Sequence, residues 1–131
     1  IEVVEAGLWD QPGALFLRHE GLEPWSVRVV EVAGEGPTVP TVTINQLMER
    51  AGARELLAVK LIIEGAERAV FRSNTEWLDN THHVIFKPTD WATPGEGGGA
   101  LAFAALAGQS FDWVVDGQCI HCYRMAGKSL A

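Results

Sequence analysis

Long apolar runs are missing from this chain. The longest, Leu56 to Ile63, is interrupted by Lys60 and falls well short of the ~20 residues that span a bilayer, so no membrane span is expected. Clustered basic residues are missing too. Ten Lys and Arg stand against seventeen Asp and Glu, the formal net charge is −7, and the cations are scattered. A nucleic-acid binder neutralises phosphates with clustered Lys and Arg, so nucleic acid and anionic membrane surfaces are excluded as partners. Ile1-Glu2-Val3-Val4-Glu5 carries acids where a secretory leader would be basic, so no signal peptide is expected; with no initiator Met, Ile1 need not be the start of the natural reading frame.

Cysteine is nearly absent as well. The two present, Cys119 and Cys122, form a Cys-x-x-Cys that elsewhere serves as a redox pair or half a zinc site. A redox pair sits at a helix N-terminus, whereas the flanks here (Phe111 to Val115, Tyr123-Arg124) read as strand. Residues three apart on a strand face opposite ways, and no second Cys-x-x-Cys supplies the other zinc ligands. Two ordinary thiols in a reducing, cytoplasmic setting are expected, with no metal site. His82 and His83 are adjacent, hence on opposite faces of a strand, and cannot share a metal. No Gly-x-Ser-x-Gly elbow is present, so a Ser-His-Asp triad has no support.

What remains is one globular domain, 1–131, with 47% hydrophobic residues over 131 positions. The opening segment through Leu8 reads as strand, Asp10-Gln11-Pro12-Gly13 as a turn, and Ala14–His19 as a second strand, making an N-terminal antiparallel hairpin. Trp25–Val32 alternates like a half-buried strand, and Gly34–Pro37 is loop. Thr43-x-x-Gln46 is a capping box, followed by Ile44, Leu47, Met48 and Ala51 at helical spacing and closed by Gly52.

Leu56–Ile63 is apolar on both faces, as a central parallel strand is. A helix follows from about Ala66 to Arg72, and Glu76-Trp77-Leu78 forms a further helical turn. His83–Lys87 is a strand stopped by Pro88, and Pro94–Gly99 is a flexible loop. Ala100–Ala107 is an Ala-rich helix ended by Gly108. Phe111–Val115, the type I′ turn signal Asp116-Gly117, and Gln118–Arg124 make a C-terminal hairpin, with a frayed tail over 125–131. The pattern is that of an α/β or α+β fold: a mixed sheet with hairpins at both ends and helices covering it.

Leu57-Ala-Val-Lys-Leu-Ile-Ile-Glu-Gly-Ala-Glu67 resembles the hallmark Leu-Lys-(Ile/Val)-Asp-(Ile/Val)-Glu-Gly-Ala-Glu of FkbM-family methyltransferases. These are S-adenosylmethionine-dependent O-methyltransferases with a Rossmann-like fold. Val39-Pro-Thr-Val-Thr-Ile-Asn-Gln-Leu47 resembles the family's entry into a helix, and Asn74–Leu78 and Val84-Ile-Phe86 follow where it has a helix and its next strand. Ala6–Asp10 and Gly13 resemble the strand and hairpin that close the cofactor half. The resemblance implies a partial Rossmann-like sheet matching roughly the C-terminal half of the family's domain. The Gly-rich turn after the first strand and the acid that grips the ribose do not occur here, and Gly95–Gly99 follows the wrong strand.

Ile62 stands where the family has its strand-end Asp, and Lys87 where the next strand commonly ends in Glu. The candidate catalytic residues left are Glu64, Glu67 and Asp90. Glu64 and Glu67 also suit the first turn of a helix, where acids offset the macrodipole, and Asp90, beside Trp91, lies in a loop of the kind that carries ligand contacts. No cofactor-binding residues are expected in this chain alone.

The family's two central strands would lie beside Leu56–Ile63, whose apolar edge is therefore expected to be covered by the first hairpin, by a second copy in a homodimer, or by a partner chain. Three functions compete. The first is a truncated, non-catalytic, self-associating or binding module. The second is a fragment or half-site of an S-adenosylmethionine-dependent O-methyltransferase, which would bring that cofactor with it. The third is a small-ligand binder near Trp91 and the Gly-rich loop.

Overall fold

The structure is a computed structural model, and it describes residues 1–19, 27–31, 36–63 and 65–126. The mixed α/β content is as the pattern of residues implies, but the strands form two four-stranded sheets in place of one. The first contains β1 (Gly7–Leu8), β2 (Gly13–His19), β3 (Val27–Val30) and β4 (Thr38–Val42), in the order β1-β4-β2-β3. The second contains β5 (Val59–Leu61), β6 (His83–Phe86), β7 (Phe111–Asp116) and β8 (Cys119–Arg124), in the order β5-β6-β8-β7. Helices α1 (Ile44–Ala51), α2 (Glu67–Arg72) and α3 (Gly98–Ala107) and a 3₁₀ turn over Glu76–Asn80 complete the described chain. None of these helices is long and apolar enough to cross a membrane.

Helix α1 forms where its local chemistry directs. Thr43 Oγ1 accepts the Gln46 N–H at 3.1 Å while Gln46 Oε1 accepts the Thr43 N–H at 3.1 Å. Gly52 closes it at φ +62°, a left-handed conformation that costs a glycine nothing. Ile44 and Met48 are buried, whereas Ala51, at the end of the same stripe, is exposed.

The second sheet carries the main core. Alternation sends Val84, Phe86, Leu61 and Cys122 to one face, where Val70, Phe71, Ala102 and Leu106 of α2 and α3 pack against them. Phe86 meets Phe71 edge-on at 5.9 Å and Phe103 at 5.7 Å, so it ties both helices to the sheet. The opposite face presents Lys60, His83, Ile85, His121, Tyr123 and Val114, and no helix among the described residues covers it.

Several expectations are corrected. β1 does not pair with β2; it runs parallel to β4 (Gly7↔Thr41), and β2 lies antiparallel between β4 and β3. The loop Asp10–Pro12 therefore leads the chain across the sheet rather than back along β1, and the antiparallel N-terminal partner of β2 is β3. Of Leu56–Ile63 only Val59–Leu61 is strand; Leu56 makes a lone bridge to Thr81. Gly98 and Gly99 belong to α3, not to the preceding loop. The C-terminal hairpin turns at Gly117-Gln118, one residue later than Asp116-Gly117, because Asp116 still pairs with Cys119 and Gly117 takes φ +58°. Met125 is held, its N–H donating to Ser110 at 2.9 Å; the rest of the expected frayed tail, beyond Ala126, lies outside the described residues. Trp25 and Val32, the ends of the expected third strand, do so too, as do Gly34 and Glu35.

Candidate functional site

In open α/β sheets ligands bind beyond the carboxyl ends of parallel strands. β5 and β6 are such a pair, in register Val59↔Val84 to Leu61↔Phe86, so Ile62-Ile63 and the segment Lys87–Asp90 leave the sheet at the same end. That end holds two of the three candidate acids. The third, Glu64, lies outside the described residues.

Glu67 opens α2 and is 3% exposed. Its Oε2 accepts the Gly65 N–H at 2.8 Å and the Thr89 hydroxyl at 2.8 Å, and Thr89 Oγ1 is also 3.1 Å from the Gly65 nitrogen. One carboxylate thus joins the loop after β5 to the loop after β6. Its Oε1 is buried without a hydrogen-bond partner among the described residues.

Asp90 serves α3. Both its oxygens lie 3.1 Å from the Gly99 nitrogen, at the positive end of the helix dipole. A Cβ on Gly99 would collide with the Asp90 carboxylate, which explains glycine at that position.

Beside these acids, Ile62 is 45% exposed, and the Lys87 ammonium lies 5.9 Å from the centre of the exposed Trp91 ring. A general base must reach a substrate proton, and here the two described carboxylates are each held by the chain's own backbone donors. Chemically the corner offers an apolar side chain, an aromatic ring and an ammonium group.

The shared acceptor at Glu67 should show in stability. Glu67→Gln keeps an acceptor for Gly65 and Thr89 but places an amide N–H where Oε1 has no partner among the described residues, so it should still cost about 1 kcal/mol. Glu67→Leu removes the shared acceptor and should cost about 1–3 kcal/mol, read from urea denaturation.

A second polar cluster, at the other end of α2, has no counterpart in any motif. Trp9, Asp10, Gly13, Glu31, Thr41 and Arg72 line a cleft of about 220 Å³. Asp10 Oδ2 accepts from Arg72 Nε at 2.9 Å and from the Ser73 hydroxyl at 3.0 Å, and Asn74 Nδ2 donates to the Asp10 carbonyl at 2.6 Å. Arg72 also donates to Glu31 at 2.8 Å, and the Trp9 indole donates to the same oxygen at 3.2 Å. Burial pushes the Asp10 carboxyl up, but the hydrogen bonds from Arg72 and Ser73 and the charge of Arg72 outweigh it, leaving Asp10 below the usual aspartate range. The bond from Arg72 likewise holds Glu31 down, and Arg72 itself is raised by both acids. Asp10 and Arg72 stand 62 residues apart, so no local spacing could have joined them.

The cysteines sit as the strand parity requires. Cys122 is buried among the core residues and Cys119 half-buried on the other face. Burial pushes the Cys122 thiol up to about 11, so it stays protonated and unreactive at neutral pH. His82 faces away from His83 and pairs with Glu55 at 3.2 Å. Comparison with family profiles, with curated proteins and with solved structures finds no match to this chain.

Proposed function

We propose that this chain is a methyltransferase-like module that binds rather than catalyses on its own, and that its partner is a second copy of itself seated along β5. The observation that carries this reading is the outer edge of β5, which has no strand beside it among the described residues. In the second sheet β5 pairs with β6 alone, and the flanking Leu57 and Ile62 are 84% and 45% exposed. Among the described residues the first sheet, the alternative cover from within the chain, makes no pairing to it. An exposed apolar edge is a template for strand addition.

A two-fold antiparallel pairing centred on Leu61 sets Lys60 of one copy opposite Ile62 of the other, and Val59 opposite Ile63. Centring on Lys60 would oppose two like charges and is disfavoured. The substitution of Ile62 for the family's Asp, and the engagement of Glu67 and Asp90 by backbone donors, support binding over turnover. Free thiols at Cys119 and Cys122 suit work in the reducing cytoplasm.

Sedimentation velocity at micromolar concentration is expected to show a dimer, and Ile62→Lys, which would set like charges opposite each other, a monomer. A wild-type monomer under those conditions sinks the self-association. Calorimetry with S-adenosylmethionine is expected to give no heat; micromolar binding by this chain alone would replace the reading with that of an enzyme.

A further inference from the structure

Strand pairing brings together two histidines that lie 38 residues apart. In the antiparallel β6–β8 ladder His83 pairs with Tyr123 and Ile85 with His121, so His83 and His121 are diagonal neighbours on the sheet face that no described helix covers. His83 Nε2 lies 3.2 Å from His121 Nδ1. The Tyr123 hydroxyl is 3.5 Å from the same Nδ1, and the Tyr123 ring stacks on His83 with centroids 4.1 Å apart and planes 20° from parallel. Four consecutive residue pairs fix this register, so the backbone sets the two histidines on one face as diagonal neighbours.

We infer that His83 and His121 form a two-nitrogen seat for a late first-row divalent cation such as Zn²⁺. Two imidazole nitrogens bound to one tetrahedral zinc at ~2.0–2.1 Å are about 3.3–3.4 Å apart. The facing nitrogens already have nearly that separation. As a hydrogen-bonded pair they share a single proton. With the metal between them, each neutral ring carries its proton on the far nitrogen (Nδ1 of His83, Nε2 of His121), and no net proton is released.

Imidazole nitrogen selects zinc, copper or nickel over calcium or magnesium, which take oxygen. Among the described residues no three His, Cys, Asp or Glu side chains converge on one position, so the described chain offers the cation these two nitrogens. Tyr123 is 43% exposed, which leaves that side open to solvent, and its hydroxyl is placed to hydrogen-bond a metal-held water. The seat depends neither on self-association nor on methyl transfer.

Calorimetric titration of the full chain with ZnCl₂ tests it. The wild type is expected to bind one equivalent, and His83→Gln and His121→Gln each to weaken binding by at least about tenfold, the scale on which even outer-shell losses act at metal sites. His82→Gln and Cys119→Ser are expected to bind as the wild type does. Because a misfolded variant would also lose zinc, the histidine ring resonances of the wild type are followed through the same titration. Those of His83 and His121 should move together while those of His82 stay. No binding below millimolar zinc, unchanged affinity in both His83→Gln and His121→Gln, loss of binding in Cys119→Ser, or shifts confined to other histidines would each overturn the seat.

Discussion

Trp77→Ala is expected to lower the unfolding free energy by about 3–5 kcal/mol, the range for deleting a buried tryptophan. Trp77 is 1% exposed and sits in the 3₁₀ turn between α2 and β6, its ring 5.9 Å from that of Phe71. Its carbonyl accepts the Thr81 hydroxyl at 2.7 Å, so the same residue also steers the chain into β6. A small domain holds only about 5–15 kcal/mol in total, and this one change would consume a large share of it. Urea unfolding should show a lower midpoint with an unchanged slope. Trp91→Ala, at a side chain in the open, should change the unfolding free energy by less than about 0.5 kcal/mol. Equal effects at the two tryptophans would contradict a core built around Trp77.

Arg72→Met is the next largest. Asp10 is 3% exposed, and without Arg72 its carboxylate would be buried beside Ser73 alone, with its other oxygen already unpartnered among the described residues. Breaking a fully buried pair costs about 3–5 kcal/mol; because the Arg72 side chain is 41% exposed, solvent screening reduces the expectation to roughly 2 kcal/mol.

The loss should depend on pH with a definite sign. Asp10 has a folded pKa below its ordinary value of 3.8, so its stabilising bond is fully present above that value. It disappears as pH falls through the lower, folded value. Wild type and variant should therefore differ most near neutrality and converge below pH 3.8. A gap that stays constant from neutrality into acid would show that Arg72 acts by packing alone.

Features encoded within a few residues are those the sequence displays. The Thr43–Gln46 box and Gly52 delimit α1 because each acts through backbone groups three or four positions away. The alternation His83-Val-Ile-Phe86 marks β6 because one face of its sheet is buried, and the Ala-rich stretch marks α3. The candidate corner is only partly legible. Glu67 and Asp90 stand out as acids near strand ends, but their binding to Gly65, Thr89 and Gly99 spans loops whose path no periodicity reports. The length of β5 misleads for a related reason. Eight residues of near-uniform hydrophobicity look like a long central strand, yet only the three facing β6 find ladder partners.

By itself, then, the chain's residue order determined the ends of α1, the faces of its amphipathic strands, the opposed cysteines and the mixed α/β class, all of which arise from short-range sterics and hydrogen bonding. Tertiary structure alone decided that β1 would lie parallel to β4, that Asp10 would meet Arg72, and that His83 would stand beside His121. Those contacts join residues 34 to 62 or so positions apart. They depend on which surfaces can bury together, a choice made by the packed whole and not by any local stretch of chain.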